Sequence, residues 1–217
     1  GDMDVLSASG NDDTIAWYEN DGSEGFTKID ITTSANGAQS VYAADVDGDG
    51  DMDVLSASNS DDTIAWYENT MTCDEGFDCA GVCGGSDTSS CLDCNNTMHG
   101  YAIVDDCGVC VGGTTGLEPC IPVLFDGSQN VITTSADMPY SVYAVDVDAD
   151  GDMDVLSASY SDDTIAWYEN DGDSNFTEHV ITTSADWALS VYAIDVDADG
   201  DMDVLSASNS DDTIARY

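Results

Sequence analysis

Positive charge is almost absent from this chain. Of its 217 residues only 2 are Lys or Arg, Lys28 and Arg216, against 45 Asp and Glu, for a formal charge of -43. With nothing to neutralise phosphates, nucleic acid is excluded as a partner. An anionic membrane surface is excluded on the same ground. Long apolar runs are missing too, and none approaches the ~20 residues of a membrane-spanning helix. Histidine is scarce: His99 and His179 stand in unrelated contexts, with no Ser-His-Asp or Cys-His pattern around either. No glycine-rich loop precedes a helical pattern, and no stretch sustains helical periodicity. These absences leave no catalytic residue to name and favour a binding or structural module over an enzyme. No initiating Met, signal peptide or transit segment opens the sequence, which reads as a piece of something longer or a mature segment. Cysteine is missing everywhere except between Cys73 and Cys120.

What is present is aspartate at fixed spacing. DVDGDGDMD begins at Asp45, DVDADGDMD at Asp146 and again at Asp195. Each reads D-x-D-x-D-G-x-x-D. Side-chain oxygens at positions 1, 3, 5 and 9, a backbone carbonyl at 7 and a turn-making Gly at 6 suit one wrapped Ca²⁺. The expected ligand sets are Asp45, Asp47, Asp49 and Asp53, with the carbonyl of Asp51. Their equivalents are Asp146, Asp148, Asp150 and Asp154, with Asp152, and Asp195, Asp197, Asp199 and Asp203, with Asp201. Asp2 and Asp4 keep the second half of a fourth copy. The blander alternative is a solvated Asp-Gly turn, against which the repetition argues. An EF-hand is disfavoured, because position 12 is Ser56, Ser157 or Ser206 rather than Glu. Without a cation these carboxylates repel one another, so the calcium-free repeats should loosen. Three doubly charged ions remove only a small part of the total charge, which leaves the rest facing salt or further cations.

Acidity alone suggests disorder, but 42% of residues are hydrophobic and recur in register. GDMDVLSAS starts at Gly1, Gly50, Gly151 and Gly200. The unit is therefore ~50 residues long, the period of propellers and arrays. Four strands are expected per unit, illustrated by SVYAADV from Ser40, MDVLSAS from Met52, TIAWYEN from Thr63 and FTKIDITTS from Phe26. All are rich in β-branched and aromatic residues and bounded by turn formers. The fold class is all-β, in tandem four-stranded propeller-like blades interrupted by a small disulfide-rich module. The expected boundaries are a partial blade over 1–37, a blade over 38–70 with 121–137, a Cys-rich insert over 71–120, a blade over 138–187 and a partial blade over 188–217.

DVDGDGDMDVLSAS followed by DDTIAWYENDG and FT resembles the FG-GAP/VCBS repeat family, the calcium-loop blades of integrin-α-type β-propellers and of many secreted bacterial and algal proteins. The likeness spans everything but the insert. It implies a blade fold, structural calcium and extracellular binding or scaffolding roles, without specifying one ligand. A closed propeller of the family generally has seven blades. Two complete and two partial units imply either a continuing chain or strands supplied by neighbours.

Other repeated features carry two readings each. Asp12-Asp13, Asp61-Asp62, Asp162-Asp163 and Asp211-Asp212 precede the third strand, as Asx-type turn caps or as holders of a second ion or a basic partner. Trp17, Trp66 and Trp167 stand in packing between blades or in sugar stacking, and Arg216 takes the fourth place. Cys73, Cys79, Cys83, Cys91, Cys94, Cys107, Cys110 and Cys120 read as four disulfides of an oxidising compartment, although two C-x-x-C pairs have zinc-ribbon spacing. Asn95 and Asn175 head glycosylation sequons. Together these features point to a secreted or surface calcium-binding scaffold or adhesive element, self-associating or meeting neighbouring repeats, possible as a subunit of an extracellular fibre. The alternative is a glycan- or protein-binding propeller module of a larger secreted carbohydrate-active enzyme.

Overall fold

In the computed structural model the described residues are 3–20, 22–23, 25–69, 102–104, 110–112, 125 and 127–217. The chain divides into two compact units, Gly1–Asn69 with Phe125–Tyr217, and Thr70–Leu124. Every element among the described residues is a strand. No helix among them is long and apolar enough to cross a membrane.

The larger unit holds four antiparallel sheets in chain order. The first contains β1 (Val5–Ser9), β2 (Thr14–Asn20) and β3 (Phe26–Thr32). The second opens with β4 (Ala38–Ala44), β5 (Asp53–Ser58) and β6 (Thr63–Tyr67). In the smaller unit, β7 (Ala102–Val104) and β8 (Cys110–Gly112) pair as an antiparallel ribbon. Back in the larger unit, β9 (Asn130–Thr133) completes the second sheet by pairing with β6. The third sheet is β10 (Pro139–Val145), β11 (Asp154–Ser159), β12 (Thr164–Asn170) and β13 (Phe176–Thr182). The fourth is β14 (Ala188–Ile194), β15 (Asp203–Ser208) and β16 (Ile214–Arg216). Each sheet is a meander in sequence order, the topology of a propeller blade.

The repeated string VLSAS explains the stacking. In an isolated sheet its small and apolar residues would bury one face and wet the other. In β5 and β11 all six residues are buried, because a neighbouring blade covers each face. In β15 burial alternates, as in a sheet covered on one side. Apolar side chains gather at three seams. Ile15, Ile31, Val54 and Tyr67 fill the first. Leu55, Ile64 and Trp66 meet Val142, Val155 and Tyr168 in the second. Leu156 and Ile165 meet Val191, Ala193 and Val204 in the third. In the first and second seams the buried tyrosine hydroxyl reaches the central strand: Ser56 Oγ lies 3.5 Å from Tyr67 Oη and Ser157 Oγ 3.4 Å from Tyr168 Oη. Burial pushes the Tyr168 phenol up to about 12.

The inner strands β4, β10 and β14 are stitched to one another. Ser40 Oγ accepts from the Val142 amide and Ser141 Oγ accepts from the Val191 amide, both at 3.3 Å. Tyr42, Tyr143 and Tyr192 form a ladder across the same strands, with centroids 4.9 and 4.7 Å apart. The strands agree with the sequence expectation to within a residue or two at most ends. Two are shorter: β6 stops at Tyr67 and β9 spans four residues, where β12 and β13 run seven.

Candidate metal centre

Each Asp ladder fills the turn between an inner strand and the central strand of its blade, between β4 and β5, β10 and β11, and β14 and β15. The turn is held by its own carboxylates. Asp45 Oδ2 accepts from the Gly50 amide at 3.1 Å, Asp47 Oδ1 from Asp49 at 3.2 Å, and Asp49 Oδ1 from Asp51 at 2.9 Å. The later ladders repeat the pattern, with Gly151 on Asp146 and Gly200 on Asp195, both at 3.0 Å. Gly50, Gly151 and Gly200 have φ of 101°, 105° and 101°, which a side chain rarely adopts. Two positions earlier the chain is again left-handed, at Gly48 (75°), Ala149 (64°) and Ala198 (61°). An alanine there costs roughly 1 kcal/mol of backbone strain, which the surrounding turn must hold.

The geometry brings three side chains of each ladder together. Asp45, Asp47 and Asp53 offer oxygens within 4.8 Å of one another, as do Asp146, Asp148 and Asp154. In the last ladder the converging set is Asp195, Asp197 and Asp199. Asp49 and Asp150 are exposed and engaged in turn hydrogen bonds, Asp49 to Asp51 and Asp150 to Asp152. Asp4 accepts from the Asn20 amide at 2.8 Å, while Asp2 lies outside the described residues.

Position 9 has a second task. Asp53 is fully buried, and both its oxygens accept backbone amides, Val46 at 2.9 Å and Asn69 at 2.8 Å. Asp154 does the same with Val147 and Asn170. These carboxylates fasten the far end of the third strand to the ladder. Burial lifts the Asp53 carboxyl to about 6, against the pull of those two amides, and raises that of Asp154 too. Desolvation, reinforced by the neighbouring carboxylates, raises Asp47 and Asp148.

The donor set fits a hard divalent cation. It is all oxygen and densely anionic. Asp45 Oδ1 is buried with no hydrogen-bond partner, while Asp45 Oδ2 and both oxygens of Asp53 accept backbone amides. Such an ion would supply charge neutralisation and cross-link the two strands flanking the turn.

The paired aspartates perform a task that spacing did not reveal. Within the turn, Thr14, Thr63 and Thr164 donate to the carbonyls of Asp12, Asp61 and Asp162. The second aspartate of each pair is left-handed, with φ of 57° at Asp13, 58° at Asp62 and 58° at Asp163. Its carboxylate accepts an amide from the linker into the next blade: Gly37 on Asp13 at 2.9 Å, Met138 on Asp62 at 3.0 Å and Trp187 on Asp163 at 2.9 Å. These are latches between consecutive blades. Burial raises the first members Asp61 and Asp162.

Trp66 is buried at the second seam, and Trp17 and Trp167 pack against the first and third. His179 stacks on Trp167 at 4.6 Å and meets Glu169 at 2.6 Å. A second aromatic group breaks the repeat. Tyr160 lies 5.3 Å from Tyr140 and 5.2 Å from the half-exposed Trp187. The equivalent positions in the preceding blade and linker are Asn59, Gln39 and Met138. Asn175 is exposed, its Nδ2 donating to Asp171. Asn95, His99 and the side chains of all eight cysteines lie outside the described residues. Cys110 is placed only as backbone of β8.

Comparison with known families matches residues 1–56 and 146–206, more than half of the chain, to the FG-GAP-like repeat. The chain belongs to the FG-GAP-like repeat family. The match includes the first blade, all three full ladders, and β11 to β14 with the start of β15. The antiparallel meanders are compatible with FG-GAP blades. No curated protein matches the chain in sequence.

Proposed function

We propose that this FG-GAP protein is a non-enzymatic, extracellular, calcium-binding scaffold whose blades are built to meet further blades. The observation that carries this reading is the iteration of three kinds of contact between blades. The aspartate latch recurs at three seams. The serine stitch and the tyrosine ladder recur along the inner strands. The fourth blade presents the same surface uncovered: Tyr192 is 46% exposed, Ile194 46% and Val196 52%. An apolar strip of that kind is suited to another blade, of this chain's continuation or of a second copy. Calcium at the ladders would hold each blade rigid and lower the repulsion within a chain carrying -43. An extracellular setting supplies calcium at the millimolar level such loops need.

The test is light scattering with negative-stain imaging, on calcium-loaded protein and again after chelation. Filaments or large oligomers that dissolve on chelation are expected. Protein that stays monomeric at every concentration in calcium overturns the scaffold reading.

A second reading, a glycan-binding propeller module, is favoured by one feature. Tyr140, Tyr160 and Trp187 form an aromatic group where the preceding blade and linker carry Gln39, Asn59 and Met138, and Trp187 is 44% exposed. Aromatic faces of this type stack on sugar rings. A glycan array with wild type and Trp187→Ala separates the two: Trp187-dependent binding by monomeric protein favours the module.

A further inference from the structure

The last ladder carries a residue the others lack. Where the first three blades have Trp17, Trp66 and Trp167, the fourth has Arg216, one of two basic residues in the chain. Its guanidinium reaches the ladder of its own blade. Nε donates to Asp203 Oδ1 at 3.0 Å, and Nη2 pairs with Asp197 Oδ2. Those carboxylates occupy positions 9 and 3 of the ladder. The metal-competent groupings change accordingly. In the second and third blades the position-9 carboxylate joins positions 1 and 3. In the fourth, Asp203 is absent from the group and Asp199 takes its place.

From this we infer that Arg216 is a built-in counter-ion, so that the fourth ladder is held without calcium and discriminates against it. The inference rests on the calcium reading of the other ladders and goes beyond it, because it sets the ladders of one chain apart. A fixed positive charge beside the loop repels a divalent ion. The guanidinium also consumes lone pairs on two of the carboxylates the ion needs. Asp203 Oδ2 keeps the loop amide of Val196 at 2.9 Å, while Oδ1, which accepts the Asn69 and Asn170 amides in the sister blades, accepts from Arg216 here. An isolated exposed ion pair contributes little, but one guanidinium bridging two carboxylates fixes the turn at both of its ends.

The experiment compares calcium binding to wild type, Arg216→Trp and Arg216→Ala by isothermal calorimetry. Wild type is expected to bind two ions tightly and a third at least ~10-fold more weakly, a difference of about 1.4 kcal/mol. Arg216→Trp, which restores the residue of the sister repeats, should bring the third site to parity. Three equivalent sites in wild type, or a weak site unchanged by both variants, overturn the inference and leave the calcium reading intact. No binding at any ladder overturns both. Hydrogen exchange in chelator gives a readout that needs no metal. Arg216→Ala should raise exchange at Val196 and Gly200, whose amides are held by Asp203 and Asp195, and leave Val46 and Gly50 unchanged. Equal exchange in wild type and variant would remove the counter-ion role.

Discussion

Asp45 and Asp53 sit eight residues apart in one ladder, and their surroundings give them different work. Asp53 is sealed between two backbone amides, whereas Asp45 keeps a buried oxygen without a partner. Asp53→Ala orphans the Val46 and Asn69 amides and should destabilise the protein by about 2–5 kcal/mol, with or without calcium. Asp45→Ala should lower stability chiefly when calcium is present. Chemical denaturation of both variants in calcium and in chelator checks the split. An equal response of the two variants to chelation contradicts it. The pH dependence follows from Asp53 as well. Its carboxyl is raised from 3.8 to about 6 by burial, so between those values the calcium-free folded state binds more protons than the unfolded chain. Stability of the calcium-free protein therefore falls as pH rises through that window, and acidification from pH 7 to about 5 should stabilise it. The loaded protein should respond in the opposite sense, because calcium requires the ionised carboxylates. Melting curves at both pH values, in chelator and in calcium, are the check, and a parallel shift in the two conditions would sink the idea. The ladder's turn was legible, since a fixed spacing of aspartates and glycines survives reading in one dimension. The division of labour within it was not, because Asn69 approaches Asp53 only once the third strand has folded back.

At the scale of elements, the seams rest on contacts between residues far apart in sequence. Asp62 meets Met138 across the inserted segment, and the cost of that separation is entropic only. Asp62→Ala removes the acceptor and places a β-carbon with no compensating hydrogen bond at φ 58°, for a loss of about 1–3 kcal/mol. Asp62→Asn keeps an acceptor and tolerates the left-handed region, and should cost less than about 1 kcal/mol. Urea denaturation of the pair distinguishes a latch from a solvated turn, where Asp62→Ala would cost no more than the strain of the left-handed position, about 1 kcal/mol. Ser141→Ala should speed hydrogen exchange at Val191 and leave Val142, held by Ser40, unchanged. The strands were readable from their β-branched and aromatic runs and from the turn residues between them. The latches were not. Asp-Asp-Thr announces a turn, but the linker amide it holds is fixed by the stacking of one sheet on the next.

For the whole molecule, repetition is the main determinant. One ~50-residue pattern supplies the blade, its ladder, its latch and its face, so stacking reproduces the same seam each time. The large negative charge opposes that stacking, and the proposed calcium ions would relieve the repulsion where it is densest, at the ladders. The most direct measurement is thermal unfolding of the whole chain in saturating calcium and in chelator, with magnesium as the control. Two ladders occupied at about 100 times their dissociation constants would add about 5 kcal/mol, or roughly 10–20 °C in Tm, with a much smaller shift in magnesium. An unchanged Tm on chelation would contradict the claim that calcium at the aspartate ladders holds these blades together.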